Sequence, residues 1–145
     1  MRSSAITNAL IAYLWADTAL KALTPDGVFK NVAGKSMAHG GAAKRFVIVS
    51  LITGRQVRVF EGRGRLEALY LVEARMLSTA GGNVKAAAAR IDVLLEDQPL
   101  TVTGYTWMTL HRESRIRLTE VDDVDSSIRW YRRGGNYRCQ MSLGT

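Results

Sequence analysis

Arg129-Trp130-Tyr131-Arg132-Arg133-Gly134-Gly135-Asn136-Tyr137-Arg138-Cys139-Gln140-Met141 runs into a strict alternation of apolar and polar side chains. Tyr137, Cys139, Met141 and Leu143 fall on one side, and Arg138, Gln140 and Ser142 on the other. That period of two is the mark of a half-buried β-strand. Upstream, Val102 to Arg117 reads as a second strand carrying Tyr105 and Trp107. The acidic run Glu120-Val121-Asp122-Asp123-Val124-Asp125 between them reads as a hairpin tip. Before the hairpin, Asn83 to Glu96 has helical spacing: Val84, Ala87, Ala88, Ile91, Leu94 and Leu95 share one face. Asn83 is placed to cap its first turn, and Pro99 cannot continue the ladder.

The rest of the chain extends this pattern. Arg45 to Ile52 is apolar on both faces, as in a central strand, and Arg55 to Phe60 alternates weakly and can extend it or pair with it. Leu66 to Ser78 is open between helix and strand. Leu, Ala and Glu favour helix, whereas the flanking glycines, Tyr70 and Val72 favour sheet. Near the start, Ser3 or Ser4 can cap a helix running to Ala22. Ile6, Ala9, Leu10, Tyr13 and Leu20 lie on one face of it, Ile11, Trp15 and Ala22 roughly opposite. A peripheral helix of a small domain has one face to bury, so Trp15 is either core or a contact with another chain. Thr24-Pro25-Asp26-Gly27 is a turn signal, and residues 31–44 read as a long loop. Together these elements predict one α+β domain over residues 1–145. It has the N-terminal helix first and an antiparallel sheet of about four to five strands with two packed helices.

Composition narrows the function classes. With 47% apolar and 23% charged residues, the chain belongs with folded globular proteins rather than disordered ones. No apolar window has the length of a membrane-spanning helix, and no membrane partner is expected. Arg2 followed by Ile6 to Ala16 resembles a leader only faintly, since Thr7 and Asn8 interrupt it and Asp17 follows; an ordinary first helix is the expectation. Cys139 is the only cysteine, which rules out an intrachain disulfide, and its place in the alternation marks it as a packing residue. The formal charge of +7 suits nucleic acid, an anionic surface or an acidic partner. Its arginines alternate with apolar residues along the terminal hairpin, the pattern of a solvated strand face.

Chemistry-bearing motifs do not emerge. Gly62-Arg63-Gly64 lacks the third glycine of a dinucleotide fingerprint. His39 and His111 have no partner at metal-ligand spacing, and Asp122, Asp123 and Asp125 lack the glycine and terminal glutamate of a calcium loop. No catalytic, cofactor-binding or metal-ligating residue is assigned, no cofactor is expected, and the chain reads as a non-enzyme.

The order of elements resembles the tail-completion, or tail-terminator, proteins of long-tailed bacteriophages. The resemblance runs through Ala9-Leu10-Ile11-Ala12-Tyr13-Leu14, Ala16-Asp17-Thr18-Ala19-Leu20, Asp26-Gly27-Val28-Phe29 and Arg45-Phe46-Val47-Ile48-Val49. It continues in Ile91-Asp92-Val93-Leu94-Leu95-Glu96, Pro99-Leu100-Thr101-Val102 and Gly134-Gly135-Asn136-Tyr137-Arg138-Cys139. These are soft patterns of hydrophobicity and turns covering most of the chain; the loop at 31–44 lacks the proline that often precedes the first core strand in such proteins. The resemblance implies that Leu66 to Ser78 is a strand. It also implies a virion protein of the tail or neck, assembled in the host cytoplasm. Such subunits form a homo-oligomeric ring, typically a hexamer, at the head-proximal end of the tail. The ring caps the tail-tube protein, meets the head-completion or connector protein, and lets DNA pass through its lumen without sequence-specific binding. Head-to-tail ring contacts match two different patches. Ile11 and Trp15, or Arg55, Arg58, Arg63 and Arg65, are the candidate interface residues. A head-side connector protein is the neighbouring alternative. A nucleic-acid-binding module using Arg129, Arg132, Arg133 and Arg138 with Trp130 and Tyr131 is the other.

Overall fold

The computed structural model describes residues 3–30, 45–58, 64–78, 82–96, 98, 102, 105–121, 127 and 129–143, with the backbone alone at 3–4, 55–58, 64–66, 105–109 and 141–143. In chain order the elements are α1 (Ser3–Ala16), α2 (Thr18–Leu23), β1 (Val28–Lys30), β2 (Arg45–Arg58), β3 (Gly64–Leu77), α3 (Val84–Leu95), β4 (Tyr105–Val121) and β5 (Arg129–Leu143). The strands form one sheet in the order β1-β2-β3-β5-β4. This is the expected α+β fold with the N-terminal helix first, with two differences in detail: the N-terminal helical stretch is split in two, and one strand pair is parallel.

The split falls at Asp17. Its carboxylate accepts the Leu20 N–H at 2.8 Å and so caps α2. The same carboxylate receives Nε and Nη2 of Arg90 on α3, at 2.9 and 2.7 Å. Asp17 therefore ends α1, starts α2 and ties both to α3. The parallel pair is β1 with β2, in the register Val28↔Val47 to Lys30↔Val49. Parallel neighbours need a crossover of a dozen or more residues, which accounts for the length of the segment 31–44. The turn between α2 and β1 is anchored to β2. The Asp26 side chain accepts the Arg45 N–H at 2.9 Å, and Val47 donates to the Gly27 carbonyl at 3.0 Å. Gly27 has φ +125°, a conformation that L side chains rarely adopt.

Leu66 to Leu77 resolves as strand, with Ser78 just past its end: β3 pairs antiparallel with β2 and with β5 along its length. Arg55 to Arg58 continue β2 rather than forming a loop, opposite Glu67 to Gly64. The main core lies on the side of the sheet that carries the helices. Ile6, Leu10 and Leu14 of α1 and Ala87, Ile91 and Leu95 of α3 are buried against Val47, Val49, Tyr70, Val72, Tyr137 and Cys139. Thr7 on α1 shares a buried hydrogen bond with the Tyr70 hydroxyl at 3.0 Å, and Tyr13 donates to the Leu94 carbonyl at 2.9 Å. On the far side of the sheet, Phe46 and Ile48 form a smaller buried group with Phe29 and Trp130. Both aromatic neighbours meet Phe46 edge-on, at 6.1 and 5.7 Å.

Candidate interaction surfaces

Two surfaces stand out, one apolar and one charged. The first is a groove of about 370 Å³ between α1 and β1, lined by Ile11, Ala12, Trp15, Pro25, Val28 and Phe29. Ile6, Leu10 and Leu14 take the inward stripe of α1. Ile11 is partly buried against the core, whereas Trp15 keeps 37% of its surface exposed, so it is a rim residue and not core. The Lys21 ammonium lies 4.4 Å from the centre of its ring. Ile11 and Trp15, proposed from sequence as one patch, do come together here. Of the alternative set, Arg55, Arg58 and Arg65 sit on the paired arms of β2 and β3, where the backbone alone is described, and Arg63 lies outside the described residues. The loop at 31–44 and the aspartates at 122, 123 and 125 also lie outside them.

The second surface is the β4–β5 hairpin, which has two unlike faces. Between Arg112 and Ser114 the register slips by one residue, a bulge at Glu113. Arg112 still points to the helix side, where it reaches Asp92 of α3 at 2.5 Å. Beyond the bulge the alternation is inverted. Arg115, Arg117 and Thr119 stand opposite Gly135, Arg133 and Tyr131 on the helix side, while Ile116, Leu118 and Glu120 turn to the far side.

On the far face every arginine that β5 contributes within Arg132–Gln140 has a carboxylate. Glu73 of β3 is fully buried and lies between Arg75, at 2.7 Å, and Arg132, at 2.9 Å. Arg132 also pairs with Glu120, and Arg138 with Glu113. Burial, the largest single influence, opposes the charge of Arg132, but the hydrogen bonds and charges of Glu73 and Glu120 together outweigh it and raise the guanidinium pKa. The hydrogen bond from Arg138 holds the Glu113 carboxyl below its ordinary range. Gly134 stands opposite Glu73, and a Cβ there would lie 2.0 Å from the Val72 carbonyl oxygen, so no larger residue fits.

The helix side differs. Arg112 is bound to Asp92, which also accepts the Tyr137 hydroxyl at 3.0 Å. Burial first, then Asp92, raises the Tyr137 phenol pKa. Further along, a cleft of about 440 Å³ opens between the start of α3 and the hairpin, lined by Asn83, Lys85, Arg117, Thr119, Tyr131 and Arg133. Among the described residues, none that lines it is a carboxylate.

Conventional active-site geometry is not assembled among the described residues. Burial pushes the Cys139 thiol up to about 12, which keeps it protonated and unreactive. His111 is exposed and lies 3.2 Å from Glu96. Trp130 and Tyr131, adjacent in β5, face opposite sides of the sheet, and Trp130 packs on Phe46. They cannot form one stacking platform with the arginines, which removes the geometry that the nucleic-acid-module reading required. The basic cleft was missed from sequence because the alternation of β4 gives no sign of the bulge that aims Arg117 at Arg133.

No known protein family and no curated protein matches the sequence. Among solved structures, the chain is similar to one from the virion of a native gene transfer agent particle, with a TM-score of 0.64 and 18% identity. The match covers 97% of this chain and 96% of that one. The two chains share their fold over essentially their whole length.

Proposed function

We propose that the chain is a structural, non-enzymatic protein of a phage-like virion, acting as a tail terminator. Its subunits form a ring, typically hexameric, at the head-proximal end of the tail. The ring caps the tail tube, docks on the head connector and leaves a lumen for DNA. The observation that carries this reading is the whole-length fold likeness to a chain of a gene transfer agent virion. The groove at Ile11 and Trp15 adds to it, because a head-to-tail ring needs two different patches on each subunit. That groove flanks β1, at one edge of the sheet, and Leu118 and Val121 are exposed on β4 at the other.

Light scattering on a sizing column, with and without tail-tube protein, tests the reading. A ring mass is expected, and Trp15→Glu is expected to reduce it to that of a folded monomer. A strict monomer in every mixture overturns the ring. A ring that binds head connector but never tube protein moves the chain to the head side of the neck.

A further inference from the structure

The basic cleft is the feature that the folding argument does not account for. Arg117 of β4 and Arg133 of β5 are direct cross-strand neighbours on the helix side, an arrangement in which like charges repel. Lys85, in the first turn of α3, lines the same cleft, where the helix dipole also disfavours a cation. Arg115 stands two residues along β4 on the same side. Among the described residues no carboxylate pairs with Lys85, Arg117 or Arg133, whereas Arg75, Arg90, Arg112, Arg132 and Arg138 all have one. Among the described residues, the carboxylates of the hairpin and of the β3 position facing it, Glu113, Glu120 and Glu73, are engaged on the far face.

A solvated strand face tolerates scattered cations. This group is concave, converges from two strands and a helix, and has donor groups from Asn83, Thr119 and Tyr131 around it. Such a site fits an anion that offers many oxygens and asks for little apolar contact. Phosphodiester backbone meets that description better than an acidic peptide does. The net charge of +7 attracts a polyanion at long range.

We propose that Lys85, Arg117 and Arg133 contact the phosphate backbone of double-stranded DNA, without reading its sequence. The choice of DNA as the source of the phosphates rests on the virion role proposed above; the choice of phosphate rests on the cleft. The contact is weak by construction. Three neutralised phosphates correspond to a slope of about −2.7 in log affinity against log salt for each subunit engaged. Such a grip is released and remade easily, as DNA passage requires.

The test is fluorescence anisotropy with labelled duplexes of two unrelated sequences, titrated with the full chain across salt concentration. Equal affinity for the two duplexes is expected. The double variant Arg117→Gln/Arg133→Gln should flatten the salt slope by about two units per engaged subunit and weaken binding roughly 60-fold at 0.1 M salt, taking the electrostatic contribution to vanish near 1 M. Arg138→Gln, on the opposite face, should leave the slope unchanged. Absence of binding at low salt overturns the proposal, as does a slope that the double variant does not alter. Preference for polyglutamate over DNA also overturns it and assigns the cleft to an acidic protein. Light scattering on the same samples separates the two readings. A double variant that keeps its ring mass and loses DNA supports the cleft. A wild-type chain that binds DNA through these residues yet stays a monomer even with tail-tube protein added supports the cleft and overturns the ring.

Discussion

The two faces of the β4–β5 hairpin are built from the same residue types and are used in opposite ways. On the far face, Arg132 and Arg138 are tied to Glu73, Glu120 and Glu113, and the buried Glu73 holds Arg75 as well. On the near face, Arg117 and Arg133 oppose each other without a carboxylate among the described residues. A buried carboxylate between two guanidiniums must keep its partners, because removing one leaves an uncompensated charge. An exposed cation in a cleft is screened by water and remains available to another molecule. The far face therefore helps to hold the sheet together, whereas on the near face Arg112 is bound to Asp92 and the stretch beyond the bulge is free to bind.

The largest way to break this comparison is at Glu73. Glu73→Ala leaves Arg75 and Arg132 facing each other across the strands, and a loss of about 3 to 5 kcal/mol is expected in denaturant unfolding. A loss below 1 kcal/mol would mean that the arginines simply reorient to solvent. Next comes Gly134→Ala, whose methyl meets the β3 backbone and not a movable side chain. It should cost about 3 kcal/mol and shift the midpoint of unfolding accordingly.

Asp17 extends the comparison to the helices, as a carboxylate that serves a backbone and an arginine together. Asp17→Asn keeps part of the cap and loses the ion pair with Arg90, for about 1 kcal/mol. The hydrogen bond from Arg90 depresses the Asp17 pKa, so its contribution is complete above the ordinary carboxylate range and fades as pH falls through the depressed value. Urea unfolding at neutral pH and in acid should show wild type and variant converging at the acid end.

The smallest effect sharpens the contrast most. Arg117→Glu places a carboxylate opposite Arg133 and should stabilise the fold by about 0.5 kcal/mol, measured by thermal unfolding, while abolishing the basic cleft. Destabilisation instead would mean that the two arginines already share a favourable arrangement.

Much of this architecture is legible along the chain. The alternation from Tyr137 to Leu143 gives β5, the apolar run from Phe46 to Val49 gives a strand buried on both sides, and Asn83 caps α3 through the Ala86 N–H at 3.0 Å. Trp15 is legible as a residue with two readings, and the fold places it on a groove rim. β3 is not legible from its residues. Its Leu, Ala and Glu favour helix locally, and pairing with β2 and β5 overrides a preference of a few tenths of a kcal/mol per residue. Glu73 looks like a solvent-facing residue of such a helix and is instead fully buried.

By itself, the sequence determined the α+β class, the hairpin, the capped third helix, the lone unreactive cysteine and the basic surplus. These follow from periodicity and composition, which act over a few residues at a time. The tie from Asp17 at the helix break to Arg90 reaches a residue far away in the chain, and the parallel β1 depends on a crossover. The side of the sheet on which Arg117 emerges depends on one extra residue at Glu113. A one-residue slip leaves composition unchanged and turns every following side chain over. Only the tertiary structure could decide which arginines are bound and which stand open in a cleft.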